Sequence, residues 1–323
     1  MLFAEGGNSG YPSVQFLLKF LELGRAIAFR RRTSRFLFMS RRKSTKIKER
    51  SITESLQEYG RGVAGGLMFS LPLLYTMEVW WAGFNTHPYR LLAYVSATFL
   101  LLLGYNRYAG LRRDTSMTEV AIDSVEEMGI GLFLAFLVLF LFGRITFEMP
   151  INEIVGVIVL EAMTVAIGVS VGAVQLGAGG KDEGMGGNSD RDGIHFGAQI
   201  VFAFCGAVLF AANLAPTEEV VIIGIQTSWL KLIGVAVFSL LIAFLILHYS
   251  DFKGARESVR ADHPTLILLG TVVTYAIALS SSALILWFFG RFDGVTMFTA
   301  LAQTVALGLA ATLGASAGRL LLQ

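Results

Sequence analysis

The chain has 323 residues, of which 54% are hydrophobic and 15% are charged, with a mean hydropathy of +0.63. Apolar stretches of about 20 residues recur along it, the length that crosses a hydrocarbon core, which excludes a soluble globular domain and predicts an all-α polytopic membrane protein. The net charge of +2 hides an asymmetry, because residues 1–50 carry twelve Lys or Arg and three Glu, a net +9, while the rest carries −7. The single cysteine, Cys205, excludes a disulfide within one chain.

The N-terminal arm, residues 1–50, combines an amphipathic stretch at 16–29 with a basic tract at 30–50. The stretch is interrupted by charges and lacks a small-residue cleavage site, so it is not predicted to be a signal peptide. A basic tract beside a membrane protein is typical of binding to anionic lipid at the cytoplasmic face, or of setting topology alone. Arginine-rich arms also bind nucleic acid, but no recognition module follows, so we expect no nucleic-acid partner.

Eight membrane spans are predicted, at about residues 62–84, 91–108, 128–145, 152–176, 196–215, 229–249, 265–289 and 296–321. The loops between them alternate between basic and weakly charged, and the basic loops lie on the side of the N-terminal arm. The excess of Lys and Arg in cytoplasmic loops therefore predicts that both termini face the cytoplasm.

The apolar part of the chain repeats itself. The run from Tyr105 to Arg112 returns as Tyr249 to Arg256, 144 positions later, and residues 142–144 (Phe-Gly-Arg) return at 289–291, at an offset of 147. Each pair follows a long apolar run, so the matches fall at equivalent places. The sequence therefore predicts an internal duplication, with any shared site on the axis between the copies.

A Gly- and Asp-rich segment, residues 177–193, separates the first half (51–176) from the second half (194–323). It is typical of a flexible cytoplasmic linker, and it lacks the ordered ligand spacing of a calcium-binding EF-hand. Each half holds four predicted spans, an even number, so both halves enter the membrane in the same sense. The predicted architecture is thus two parallel four-helix repeats related by an axis along the membrane normal.

Two further matches compete within spans four and eight. Residues 164–168 resemble 304–308 at an offset of 140, whereas Gly168–Gly172 resembles Gly314–Gly318 at an offset of 146. The two offsets cannot both apply to the same pair of helices unless a gap is placed inside one helix. The Gly-x-Ser-x-Gly strings formally match a hydrolase elbow, but that motif needs a strand before a helix. Small residues at this spacing instead favour close helix packing, within the chain or in a homo-oligomer.

Few motifs of chemistry are present. The chain lacks a Walker loop, an HExxH motif and paired Cys/His ligands, so we predict neither ATP hydrolysis nor a cofactor, and any bound metal stays unknown. No nucleophile–base pair is visible, so the protein is predicted not to be an enzyme.

Ionisable and polar residues inside the spans are the remaining signal, because charge in hydrocarbon is costly and usually functional. Glu161 lies near the middle of span four, with Thr164 one turn away on the same face. Gln303 and Thr304 lie at similar depth in span eight. These four residues are candidates for binding a cation or exchanging a proton. The alternative is that Glu161 is a hydrogen-bonding contact between helices.

Acidic residues also mark the outer ends of the first span of each half. Glu78 follows Pro72, and Glu218 and Glu219 follow Pro216; the offset of 140 aligns Glu78 with Glu218. Proline frees backbone carbonyls, and glutamates beside such sites predict an acidic outer mouth that concentrates cations. The alternative is an aromatic interfacial belt with solvated glutamates.

Five further residues are candidates for structural or gating roles. Arg144 and Arg291 close the third span of each half and are placed to pair with the outer glutamates. Asp123, Glu126 and Glu127 lie at helical spacing before span three, at the inner side. They are candidates for gating cation entry or for salt bridges with Arg112 and Arg113.

Two stretches resemble a known family. The segment from Glu58 to Trp81, EYGRGVAGGLMFSLPLLYTMEVWW, resembles the opening of a bacterial family of integral membrane proteins of unknown function (domain of unknown function 2391). The segment from Gln303 to Leu321 is similar to the end of that family. The resemblance covers about residues 51–323 and implies a bacterial inner-membrane protein with this number of spans. It implies no activity, substrate or site residue.

These features predict a channel or secondary transporter for a small ion, with a cation or proton favoured, and a path between the two halves. Glu161 is the predicted mid-membrane site. The alternative is a membrane sensor or scaffold whose basic arm binds anionic lipid or a partner, and an intramembrane enzyme is the least favoured class.

Overall fold

The computed structural model describes residues 52–109, 116–176, 196–249 and 264–321, which form helices without any strand. The N-terminal arm and the linker at 177–193 lie outside these residues. The ten described helices are α1 (Ile52–Leu74), α2 (Met77–Asn85), α3 (Pro88–Ala109), α4 (Met117–Leu141), α5 (Ile151–Gln175), α6 (Phe196–Leu214), α7 (Glu218–Gln226), α8 (Trp229–Tyr249), α9 (Pro264–Phe288) and α10 (Met297–Leu321).

Six of these helices, α4, α5, α6, α8, α9 and α10, are long and apolar enough to cross a membrane. The other two long helices, α1 and α3, are more polar. Helix α1 carries charges in its first three turns, and α3 buries a stripe of polar residues, namely Tyr94, Thr98, Tyr105 and Asn106. The predicted all-α polytopic class is therefore confirmed, while the count of eight spans stays a prediction.

The sequence-based prediction of one continuous helix over 62–84 is wrong. Helix α1 ends at Leu74 and α2 starts at Met77, because Pro72 cannot donate the backbone hydrogen bond that would continue the helix. The carbonyl oxygen of Pro72 instead accepts the hydroxyl of Thr76 at 2.6 Å. The span predicted at 196–215 ends at Leu214 as α6, and the short helix α7 follows it. Sequence patterns missed this short helix.

The order of helix lengths recurs along the chain. Helices α1 to α5 have 23, 9, 22, 25 and 25 residues, and α6 to α10 have 19, 9, 21, 25 and 25. The Phe-Gly-Arg motifs end α4 and α9 in the same way. Gly143 has a φ of 66° and Gly290 a φ of 70°, conformations that favour glycine.

The following residue closes the cap in both copies. The Arg144 N–H donates to the Leu139 carbonyl at 2.8 Å, and the Arg291 N–H donates to the Leu286 carbonyl at 2.9 Å. This bond, from a backbone N–H to the carbonyl five residues earlier, is characteristic of the Schellman cap. The cap satisfies carbonyl groups that have no partner at a helix end. The motif is therefore a helix terminator in each place.

Two long helices lie at the centre of their neighbours. Helix α5 packs against α1, α2, α3 and α4, and α10 packs against α6, α7, α8 and α9. Glycines allow the closest crossings. A Cβ atom at Gly65 of α1 would overlap the Cα of Gly172, and one at Gly206 of α6 would overlap the carbonyl of Gly314. All of α5 from Leu160 to Gly172 is consequently buried.

The glycines of α10 that suggested a homo-oligomer pack against another helix of the same chain. Gly314 contacts Gly206, and a Cβ atom at Gly318 would overlap the carbonyl of Phe202, also on α6. The small-residue face of α10 is thus already covered by α6. These two glycines no longer support a contact between two copies of the protein.

We expect Gly206→Ala to destabilise the fold, because the added methyl group overlaps backbone atoms of α10. Backbone atoms cannot move aside as a flexible side chain can. Overpacking of this kind costs about 1–3 kcal/mol. The measurement is the free energy of unfolding in mixed micelles titrated with a denaturing detergent.

The matched control is Gly234→Ala on α8, where an added Cβ meets nothing within 4 Å. There alanine gains helix propensity, worth up to about 1 kcal/mol. Equal unfolding free energies for the two variants would contradict the proposed role of Gly206.

Candidate functional site

The carboxyl group of Glu161 is enclosed by protein. Glu161 lies on the central helix α5, its exposed fraction is 0%, and neither carboxyl oxygen has a hydrogen-bond partner within the described residues. Helices pack around α5 on several sides, and they separate the Glu161 side chain from the surface. An ionised carboxylate in such surroundings is costly unless a proton, a cation or a donor compensates it.

Two hydroxyl groups bond each other one turn along α5 from Glu161, without a hydrogen bond to its carboxyl group. Thr164, one turn further along α5, is hydrogen-bonded through its hydroxyl to that of Tyr94 at 2.8 Å. Tyr94 belongs to α3 and lies within electrostatic range of Glu161. The Tyr94 ring stacks on Phe288 of α9, with ring centroids 4.2 Å apart. The site is therefore bounded by helices from both halves of the chain.

Gln303 and Thr304 lie apart from this group, on α10. Gln303 is fully buried, and among the described residues its side-chain oxygen and nitrogen both lack a hydrogen-bond partner. It packs against Gly224 of α7, where a Cβ atom would lie 2.5 Å from the Gln303 Cγ. The Thr304 hydroxyl donates to the Ala300 carbonyl of its own helix at 2.8 Å. No hydrogen bond joins Gln303 to Glu161.

The outer glutamates meet at one arginine. Glu78 and Glu218 lie in the first turns of the short helices α2 and α7, and both act electrostatically on Arg291. Burial lowers the pKa of Arg291, and the two carboxylates oppose that shift. Its Nε atom also donates to the Ala215 carbonyl at 3.3 Å. Glu219 is exposed beside Glu218.

Arg144 has a different environment from Arg291. It is exposed, and its guanidinium lies over the ring of Trp80, 4.4 Å from the ring centroid. This is a cation–π contact, which attracts the cation to the face of the indole.

A different arginine links the two halves of the chain. Arg90 at the start of α3 binds both carboxyl oxygens of Asp293, at 2.8 and 2.9 Å.

An asparagine joins α1 to α6 at the proline break. The Asn213 Oδ1 accepts the backbone N–H of Leu73 at 3.0 Å, and its Nδ2 donates to the Phe69 carbonyl at 3.1 Å. These are the two backbone groups that would bond each other in a regular helix. Pro72 lies between them and is exposed, whereas Pro216, after α6, is buried. The only signal for this role in the sequence is an Asn inside an apolar run.

The inner acidic residues have separate partners. Glu127 of α4 accepts the Asn106 side-chain amide at 2.7 Å, and Glu126 accepts the hydroxyl of Tyr59 from α1. Asp123 is half-exposed on the same helix. The basic residues predicted to face these carboxylates, Arg112 and Arg113, lie outside the described residues.

Sequence reasoning missed Tyr94 and Asn106, the two α3 residues that bond Thr164 and Glu127 respectively. A usable signal was present, because polar residues recur on α3 at 94, 98, 105 and 106, a helical spacing that forms one face. Helix α3 is too polar to be recognised as a membrane span from its hydropathy alone. The polar residues of its buried face pair with polar residues of α4 and α5.

The fold and these buried polar groups define a polytopic α-helical integral membrane protein. A family model described as "Putative integral membrane protein (DUF2391)" matches residues 58–322, and the chain belongs to this family. No curated protein and no solved structure matches the chain. The family match excludes the basic N-terminal arm.

We expect Asn213→Ala to lower the free energy of unfolding, because it leaves the Leu73 N–H and the Phe69 carbonyl without their side-chain partner. Unpaired buried groups of this kind cost about 1–3 kcal/mol. The detergent titration described above measures the change.

Asn85→Ala is the matched control, since Asn85 bonds only the Trp81 carbonyl of its own helix. Surface substitutions of this type change stability by about 0.5 kcal/mol or less. A loss at Asn213 no larger than that at Asn85 would show that the bridge is dispensable.

Proposed function

We propose that this integral membrane protein transports a small ion, and that the ion is a proton exchanged at Glu161. The observation that carries the proposal is the buried Glu161 carboxyl group with two neighbouring hydroxyls, those of Tyr94 and Thr164. Intramembrane acids of this kind mark proton relays and ion paths. Within the described residues no group of three or more His, Cys, Asp or Glu is placed to hold a metal ion.

A path between the two halves fits the contacts around this site. Tyr94 comes from the first half and Phe288 from the second, and their stacked rings cover the hydroxyl pair beside Glu161. At the outer end, Glu78, Glu218 and Arg291 also bring the halves together. We propose these outer carboxylates as the mouth that attracts cations, with Glu219 at its edge.

We further propose that the chain is a duplication, with eight spans arranged as two parallel four-span copies. The recurring helix lengths, the Schellman caps at Gly143 and Gly290, and the two glycine crossings support it. Helices α5 and α10 match end to end at an offset of 146, which aligns Gly168 with Gly314. Under this alignment Glu161 has no acidic counterpart in α10.

In this proposal the protein lies in a bacterial inner membrane with both termini in the cytoplasm. The basic arm then faces anionic lipid, where each Lys or Arg near the surface contributes about 1 kcal/mol of attraction. A sensor or scaffold would rely on this arm, whereas ion transport relies on the helices. The two functions are separable by experiment.

We expect Glu161→Gln to reduce proton flux by about tenfold or more, because the amide cannot exchange a proton at the mid-membrane site. Purified protein is reconstituted in liposomes, a potassium gradient with valinomycin sets the voltage, and an enclosed pH dye reports proton entry. Gln has nearly the same shape as Glu, so folding is expected to be unchanged.

Glu148→Gln, in the exposed loop before α5, makes the same chemical change away from the path and is the control. Flux in the Glu161 variant equal to that of the Glu148 variant would remove Glu161 from the mechanism. Wild-type flux no greater than that of empty liposomes would exclude proton transport by this protein under these conditions.

We expect removal of residues 1–50 to leave proton flux unchanged and to abolish binding to anionic vesicles. The reason is that the arm carries a net +9, whereas the proposed path lies within the helices. Nanodisc-embedded protein, full length or shortened, is floated with phosphatidylglycerol vesicles at low and high salt. Equal flotation of both forms would show that the arm does not bind lipid.

A further inference from the structure

A second carboxyl group lies in a hydrogen-bonded cluster between three helices. The Asn106 Nδ2 of α3 donates to Glu127 Oε2 at 2.7 Å and to the Ser124 hydroxyl at 3.1 Å, both on α4. The Ser170 hydroxyl of α5 donates to Asn106 Oδ1 at 3.0 Å. Asn106, Ser124 and Ser170 are buried, and Glu127 is partly buried among them. We call these four residues the Glu127 cluster.

A buried phenol adjoins this cluster. Tyr105, next to Asn106 on α3, has an exposed fraction of 0%, and its hydroxyl has no hydrogen-bond partner in the described part of the chain. It lies within electrostatic range of Glu127 and packs against Phe202 of α6. A buried hydroxyl group without a hydrogen-bond partner is energetically costly. Its presence near the Glu127 carboxylate indicates that it binds a ligand or takes part in proton exchange.

One member of the Glu127 cluster, Ser170, lies on the same helix as Glu161. Ser170 follows Glu161 by nine residues of α5, which is about 14 Å along the axis. Both groups are also reached from α3, because Tyr94 meets Thr164 near Glu161 and Asn106 meets Ser170 in the cluster. The two carboxyl groups therefore occupy successive depths of one interface.

Apolar residues lie between these depths along both helices. Leu102 of α3 and Ile167 of α5 are buried at 0% and 1% exposure, and we call these two residues the Leu102 layer. Apolar side chains offer no hydrogen bonds to a moving proton. Proton exchange between the sites thus requires water to enter this layer, which is a feature of gating by wetting. The arrangement favours a gated transporter over an open channel.

The donors in the cluster favour a proton over a metal cation. The Asn106 amide points its N–H groups at Glu127 and Ser124, and its oxygen is taken by Ser170. A hard metal cation needs oxygen ligands around it, and an N–H group beside the carboxylate is repelled by a cation. A proton needs only a free carboxyl oxygen.

We propose that Glu127 is a second proton-binding site, in series with Glu161 and separated from it by the Leu102 layer. This inference rests on the proposed transport function. The Glu127 carboxylate takes a proton from water at its own end of the interface and becomes neutral. When water enters the Leu102 layer, the proton passes to the Glu161 carboxylate and Glu127 is ionised again.

Several described titratable groups act on Glu127. On its own helix Asp123 and Glu126 act on it electrostatically, and Glu126 is bonded to Tyr59 of α1. From α3 it faces Tyr105, and Cys205 of α6 lies within electrostatic range. All of these facing groups are acidic or neutral, which suits a site that accepts protons.

The test compares Glu127→Gln with Glu148→Gln, the same change in an exposed loop outside the cluster, in the liposome assay. We expect Glu127→Gln to reduce proton flux by about tenfold or more, while Glu148→Gln stays close to wild type. Because the sites act in series, the variant with both Glu127→Gln and Glu161→Gln should be no slower than the slower single variant. Ser170→Ala, which removes one donor and keeps the carboxyl group, should give a smaller reduction.

Infrared difference spectra between two pH values give a readout that does not depend on flux. We expect a protonated-carboxyl band in the wild-type protein with a component that is lost in Glu127→Gln and persists in Glu148→Gln. Normal flux in Glu127→Gln with lost flux in Glu161→Gln would overturn the second site and leave the transport function standing. Absence of flux in wild-type protein would overturn the transport function, and an unchanged carboxyl band in Glu127→Gln would overturn the proton site itself.

Discussion

The rest of the structure depends on the close crossing of helices at glycine. Between helices in a membrane the hydrophobic effect offers little, so backbone packing decides which helices associate. Gly65 against Gly172 and Gly206 against Gly314 bring the backbones together where any side chain would keep them apart. These crossings place α5 and α10 at the centres of their groups. A residue at mid-helix on α5, such as Glu161, is then cut off from both lipid headgroups and water.

The central position of α5 explains why α3 is polar. Polar residues on a surrounded helix can be satisfied only by side chains from its neighbours, and α3 supplies them at two depths, Tyr94 to Thr164 and Asn106 to Ser170. The same polar residues make α3 unattractive to lipid as an isolated span. Helix α3 is therefore stabilised in the membrane by its packing against α4 and α5, and this packing creates the interface in which both carboxyl groups lie.

The sequence was sufficient for the features set by local chemistry and insufficient for those set by packing. Apolar length predicted the all-α membrane class, and the Phe-Gly-Arg motifs were placed at helix ends, where Gly143 and Gly290 now form caps. The cost of charge in hydrocarbon singled out Glu161. The break after Pro72 was missed because Asn213, more than a hundred residues away, supplies the bonds that the broken helix lacks. Partners that distant cannot be read from periodicity.

In the proposed duplication, the two copies differ in their acidic residues. Offsets of 146 and 147 align Glu161 with Leu307 and Glu127 with Thr274, whereas Ser170 aligns with another serine, Ser316. Around Thr274 the second copy holds a cation, since the guanidinium of Arg319 donates to the Thr274 hydroxyl and, at 2.7 Å, to Gln199 Oε1. A fixed positive charge there repels protons and other cations. Among the described residues, the first proposed copy has carboxyl groups at successive depths, and the second contributes Phe288, which packs against Tyr94. In this proposal the duplication keeps the packing in both copies and the ion chemistry in one.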